Sequence, residues 1–162
     1  MLLYILRHAE AEALSPSGLD ADRALTESGT RRMKLVARAI GRMEPDFDAI
    51  FVSPLLRARQ TAEPVAAACR FKGEPTITEA LVPGANPSGI LEELEAAGCV
   101  SALVVGHEPH LGNLVGRLVS GRKDVDVPMK KAALAIFEIH AELGAGRAEL
   151  KGYLPPRLLE RL

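Results

Sequence analysis

Tryptophan is absent from this 162-residue chain, and aromatic residues make up only 4% of it. Leu, Val, Ile and Ala must therefore do most of the packing. An excess of either charge is also missing: 20 Lys and Arg face 21 Asp and Glu, for a net charge of -1. Such a balance gives no electrostatic pull toward nucleic acid or an anionic membrane. No apolar run approaches the roughly 20 residues that a membrane helix needs. The N-terminal run, residues 1–6, is too short for a signal h-region and has no basic leader. Cysteine is scarce: Cys69 and Cys99 lie far apart and form no C-x-x-C, which predicts free, buried thiols in a reducing compartment. Walker A, dinucleotide-fingerprint and zinc-ligand spacings are missing as well. These absences leave a cytoplasmic protein of one domain as the expectation, with no nucleic-acid or membrane partner.

What is present is an alternation of strand and helix signals. Met1–Leu6, Ala49–Ser53 and Ser101–Gly106 are short apolar runs rich in β-formers and read as buried strands. Thr26 reads as the N-cap of a helix running to about Met43, with Met33, Val36, Ala37 and Ile40 on one face. Ser53-Pro54 reads as the start of a helix to about Cys69. Pro75–Glu79 predicts a short strand, Asn86-Pro87 a helix ending at Gly98, and Glu108-Pro109 a helix ending at Gly121. Residues 132–139 and 147–154 read as paired strands around a Gly144-Ala145-Gly146 turn. The pattern predicts an α/β three-layer sandwich. Its sheet is mainly parallel, with helices on both faces and a C-terminal hairpin as an antiparallel edge.

Three of these strands end in the same chemistry. Arg7-His8 follows the first, Arg57 the second after Pro54, and His107 the last. In open α/β sheets the carboxyl ends of the strands are where ligands bind. Two arginines can pair with the oxygens of a phosphoryl group, each through a planar fork. A neutral imidazole is a competent nucleophile near neutral pH, and a second can donate to the oxygens in the transition state. The helices that begin after Ser53 and Glu108 would add anion-binding N–H groups at their first turns. No clustered carboxylates stand ready to hold magnesium, so neither a metal nor a cofactor is expected.

Leu6-Arg7-His8-Ala9-Glu10, the segment Ser53-Pro54-Leu55-Leu56-Arg57-Ala58-Arg59-Gln60-Thr61 and Gly106-His107-Glu108-Pro109 resemble the motifs of the histidine phosphatase superfamily. This is the group that shares a fold with cofactor-dependent phosphoglycerate mutase. Asp22–Gly29 is similar to the Leu-Thr-x-x-Gly segment that opens the first helix there. The short length and the Arg-His-Ala variant resemble the SixA-like phosphohistidine phosphatases in particular. The resemblance implies a phosphoglycerate mutase-like fold, a single domain over residues 1–162 without a lid insertion, and a phosphatase. It implies His8 as nucleophile, Arg7 and Arg57 as phosphoryl clamps and His107 as a donor to the phosphoryl oxygens. Glu108, at the helix start, joins them in the phosphate-binding set. Glu79, after the third strand, is the positional match for the general acid, with Glu10, Glu12 and Asp22 as alternatives. A phosphoramidate leaving group that already carries a proton needs no dedicated acid.

A site without a lid is shallow, which suits a phosphorylated side chain presented on a protein surface. The expected substrate is phosphohistidine on a phosphotransfer protein. A small phosphoester on the same site, or a phospho-ligand-binding module without turnover, are the alternatives. His110 reads as a pocket-edge or surface residue and His140 as hairpin surface. Arg31, Arg32 and Lys34 read as a solvated helix face. Arg59 reads as locally paired or rimming the site. Lys130 and Lys131 read as a solvated loop, open to a role in substrate docking.

Overall fold

The computed structural model describes residues 1–140, 146 and 148–162. Six strands form one sheet: β1 (Leu2–Arg7), β2 (Ala49–Val52), β3 (Thr76–Ile77), β4 (Ser101–Gly106), β5 (Leu134–Ile139) and β6 (Ala148–Leu154). Their order across the sheet is β3-β2-β4-β1-β5-β6. The first four strands pair in parallel, while β5 runs antiparallel to both β1 and β6. The mainly parallel sheet with an antiparallel C-terminal edge is thus as the alternation predicts. Residues Gly144 and Ala145 of the expected hairpin turn lie outside the described residues.

The central strands β1, β2 and β4 are buried on both faces, and the period of two along β1 divides the core. Tyr4 and Leu6 of β1 join the cluster under α1 (Glu27–Arg42), α2 (Leu56–Ala68) and the short α5 (Pro156–Leu159). Leu3 and Ile5 point the other way, into the cluster under α3 (Pro87–Ala97) and α4 (His110–Ser120). Met33, Val36, Ala37 and Ile40 line the buried face of α1, whose N-cap Thr26 accepts from the Gly29 amide at 2.9 Å. Arg31 is on a solvated face, paired with Glu27, while Arg32 is half-buried against Glu160, just beyond α5. No helix among the described residues is long and apolar enough to cross a membrane.

Several boundaries differ from expectation for local reasons. The Ser53-Pro54 helix start is corrected: α2 begins at Leu56, and Leu55 at its N-cap is still extended (φ -66°, ψ 134°). The Ser53 hydroxyl is used elsewhere, as shown below. Strand β5 begins at Leu134 because Ala132 takes a left-handed turn, φ 60°, and its amide bonds back to the carbonyls of Arg7 and His8. β3 shrinks to two residues because Thr78 instead caps a 3-10 turn over 79–81, accepting from the Ala80 amide at 3.0 Å. Cys69 and Cys99 are free but half-buried, not fully buried.

Candidate active site

Strand register brings the site together. Arg7 of β1 lies opposite Gly106 of β4, and Val52 of β2 opposite Val105. His8 and His107 therefore emerge side by side, one residue past a matched pair. Their ring centroids are 4.9 Å apart. Arg57, on the first turn of α2, reaches the same place. All four line a cavity of about 200 Å³, joined by Ala11, Arg23, Pro83, Glu108 and Lys131.

The backbone around His8 is pinned on every side. Its amide donates to the Gly106 carbonyl at 3.0 Å. The Ala9 amide donates to Thr61 Oγ1 at 3.2 Å, and that hydroxyl in turn donates to the Arg57 carbonyl at 2.7 Å. The Glu10 carbonyl accepts from the Thr26 amide at 2.9 Å and presses onto Gly29. A Cβ at position 29 would sit 2.2 Å from that carbonyl oxygen, which is why the first helix opens with glycine there.

The imidazole of His8 has its Nδ1 2.6 Å from the Ala9 carbonyl oxygen. A carbonyl can only accept, so Nδ1 carries the proton and Nε2 keeps a lone pair. Burial, only partly offset by that hydrogen bond, pushes the His8 pKa down to about 4; Arg57, Arg7 and Lys131 add to the shift. His107 is pushed down to about 3, by burial first and then by His8 and Arg57. Both rings are neutral at pH 7, and the Nε2 of His8 is an unprotonated base between two cations.

Each arginine is anchored at its tips. Arg7 Nη1 donates to the Met129 carbonyl at 2.5 Å. Arg57 Nη1 and Nη2 donate to the carbonyl and carboxylate of Asp20, at 2.8 and 3.0 Å. Among the described residues, the Nε–H of both arginines and Nδ1 of His107 are buried without a partner. Buried donors without acceptors are costly, and an anion in the cavity would supply an acceptor.

Glu108 lines the cavity, but its carboxylate faces its own backbone. It accepts from the Met129 amide at 2.8 Å and lies against Gly112 in the first turn of α4. By holding Met129 it fixes the carbonyl that anchors Arg7. Burial raises the Glu108 pKa, although the Met129 and Gly112 backbone and Arg7 oppose the shift.

Glu79 is not among the cavity-lining residues. It opens the 3-10 turn and is exposed, while Pro83 beyond that turn reaches the cavity. Glu10 lies 3.6 Å from Lys131, Asp22 accepts from Ser17, and the Glu12 carbonyl accepts from Arg23. His110 is corrected from pocket edge to core: it is 1% exposed, and burial pushes its pKa down to about 4. Arg59 lines a separate groove along α2 and β3. Lys131 does line the site, whereas Lys130 is exposed away from it. His140 is exposed beside Glu138 and Glu149, a grouping of metal-ligand type whose two carboxylates already pair with Lys151.

Four contributors had no assigned role in the sequence reading: Asp20, Arg23, Ser53 and Thr61. The last two stand inside a quoted motif. Thr61 is one helical turn after Arg57, a spacing that places it on the same face. Asp20 lies in a loop without periodicity and carries no such signal, and Arg23, although inside the Asp22–Gly29 segment, precedes its Leu-Thr-x-x-Gly positions.

The chain is similar to known proteins over most of its length. Residues 3–82 match the model of the histidine phosphatase superfamily (branch 1). An uncharacterized protein of Picosynechococcus sp. is 37% identical over 83% of this chain and 82% of its own length. Phosphohistidine phosphatase SixA of Escherichia coli is 32% identical over 75% of this chain and 76% of its own. Among solved structures, the protein histidine phosphatase SixA complexed with tungstate superposes with a TM-score of 0.85. It shares 26% identity, covering 97% of this chain and 98% of that one. The chain belongs to the histidine phosphatase superfamily, in its SixA-like group, and is a phosphatase.

Proposed function

We propose that this enzyme is a phosphohistidine protein phosphatase that turns over through phospho-His8, with a phosphotransfer protein as its substrate. The observation that carries the reading is the His8 ring. Its Nδ1 is committed to the Ala9 carbonyl, so Nε2 is free, neutral and flanked by Arg7 and Arg57. Nε2 attacks the phosphorus, and the P–N bond of the substrate breaks with its electron pair leaving on the substrate imidazole. Water then attacks phospho-His8 and releases inorganic phosphate. The Nε–H groups of Arg7 and Arg57 and the Nδ1–H of His107 match the charge on the non-bridging oxygens in both steps.

The size of the cavity supports a protein substrate. About 200 Å³ lies below the roughly 300–1,000 Å³ of pockets that enclose drug-sized ligands. A phosphoryl group on a side chain needs only its terminal atoms inserted. The names of the SixA relatives point the same way.

The test compares a phosphohistidine-bearing phosphotransfer domain with small phosphomonoesters, in wild type and His8→Ala. The reading expects higher kcat/KM on the protein, and an acid-labile, base-stable label on wild type that the variant lacks. Preference for small esters would make the enzyme a metabolite phosphatase. Binding without turnover would make it a binding module. Equal labelling of wild type and variant would remove His8 as nucleophile.

A further inference from the structure

We propose that Ser53 is a positioning residue that holds the ring of His107 in the Nδ1–H tautomer, so that this ring meets the phosphoryl group as a donor. The proposal rests on the reading above that His107 contacts the phosphoryl oxygens. Ser53 sits one residue beyond β2 and is fully buried. Its amide donates to the Val105 carbonyl at 3.0 Å, two residues before His107 on the neighbouring strand. The backbone bond places the two side chains next to each other.

Ser53 Oγ lies 2.8 Å from His107 Nε2, and the Leu55 amide donates to the same oxygen at 3.4 Å. A hydroxyl has one proton to give. Among the described residues no other acceptor lies within hydrogen-bond distance of it, so the proton goes to Nε2. A nitrogen that accepts carries a lone pair, and in the neutral ring the remaining proton then sits on Nδ1. That Nδ1 is buried and without a protein partner, in a ring that lines the cavity beside His8. A phosphoryl oxygen supplies the missing acceptor.

The opposite tautomer would be penalised twice. It would present a lone pair on Nδ1 to an anion, and it would leave the Ser53 O–H buried without an acceptor. Ser53 thus does for His107 what the Ala9 carbonyl does for His8. One ring is held as a lone-pair nucleophile by a backbone acceptor, the other as a donor by a hydroxyl. The same hydroxyl accepts from the Leu55 amide, and Leu55 stays extended at the N-cap instead of joining α2.

Long-range proton–nitrogen NMR of the imidazoles, with His107 assigned by substitution, reads the tautomer directly. Wild type and Ser53→Thr are expected to show the proton on Nδ1, and Ser53→Ala a shift toward Nε2–H. Ser53→Ala is expected to lower kcat by about 10- to 100-fold, as loss of an outer partner does, with Ser53→Thr recovering it. His107→Asn keeps an amide N–H near the Nδ1 position and has no Nε2, so adding Ser53→Ala to it is expected to cost nothing more. A wild-type proton on Nε2 would overturn the proposal. So would an unchanged tautomer or unchanged kcat in Ser53→Ala, or an equal loss in the His107→Asn background. If His8→Ala retained turnover, the catalytic reading would fall while the spectra still decided the role of Ser53. A Ser53→Ala chain that did not fold would leave the wild-type and Ser53→Thr spectra to decide it.

Discussion

Asp20 occupies both ends of the Arg57 guanidinium, taking Nη1 on its carbonyl at 2.8 Å and Nη2 on its carboxylate at 3.0 Å. Its other carboxylate oxygen takes Arg23 Nε at 2.8 Å. Burial alone would raise the Asp20 carboxyl pKa, but the bonds and charges of Arg57, then Arg23, pull it below its ordinary value. Asp20 is therefore an anion at neutral pH that orients two cavity-lining arginines.

This arrangement makes Asp20→Ala informative. The substitution releases Nη2 of Arg57 while the backbone carbonyl still holds Nη1, so the fork loses part of its orientation, and it also removes a negative charge beside the cavity. Transition-state geometry is expected to suffer more than ground-state attraction. The kcat is expected to fall about tenfold, while inorganic phosphate binds within about threefold of wild type or more tightly. Steady-state kinetics and phosphate titration check both. Equal losses in kcat and phosphate affinity would show Asp20 serving only to keep the fold of its loop.

Arg7→Ala and Arg57→Ala are each expected to cost on the order of 2–4 kcal/mol in transition-state stabilisation, and to weaken vanadate binding. Lysine should recover little. Each arginine is tied at its tips, to Met129 or to Asp20, while its Nε–H is left buried without a partner. An ammonium cannot be anchored at one end and donate from the middle. Full activity in Arg57→Lys would refute this division of labour.

Much of the site was legible because strand periodicity and register carry it. Arg7, His8 and His107 stand at the ends of apolar runs, and matched parallel strands bring such ends together. Other parts depend on backbone groups, which leave no trace in residue identity. The Met129 carbonyl that anchors Arg7 is one, and the Ala9 carbonyl that sets the His8 tautomer is another. Ser53-Pro54 misled for a different reason. The pair fits a helix start on local propensity, but Ser53 spends its hydroxyl on a residue 54 positions away. His110 misled because polarity suggests a surface, whereas α4 turns it into the core.

Buried neutral histidines set the acid limit of stability. His8, His107 and His110 have pKa values lowered from 6.5 to about 4, 3 and 4 by burial first of all. Between those values and 6.5 the unfolded chain binds more protons than the folded one, so stability falls as pH falls. The contribution is fully present above about pH 6.5 and is lost as pH drops through about 4 to 3. His110→Leu removes one such group outside the catalytic set. It is expected to gain about 2 kcal/mol relative to wild type at pH 5 compared with pH 7.5. Urea unfolding at the two pH values measures this, and a parallel displacement at both would exclude titration of His110 as the cause.

Glu108 is the one carboxylate among the described residues that line the cavity. Glu79 is exposed on the 3-10 turn and does not line the cavity, and Glu108, which does, accepts from the Met129 amide. A phosphohistidine substrate tolerates this, because its imidazole can leave already protonated. An alkyl phosphate cannot, since its alkoxide leaves poorly without a proton. The enzyme is therefore expected to hydrolyse phosphohistidine and nitrophenyl phosphate far faster than alkyl phosphates. Glu79→Gln is expected to leave the ratio of those rates unchanged. Measuring the ratio within one variant cancels any small loss of folded protein. A selective loss on alkyl phosphates in Glu79→Gln would establish Glu79 as the acid and require the 79–83 turn to move toward the cavity during turnover.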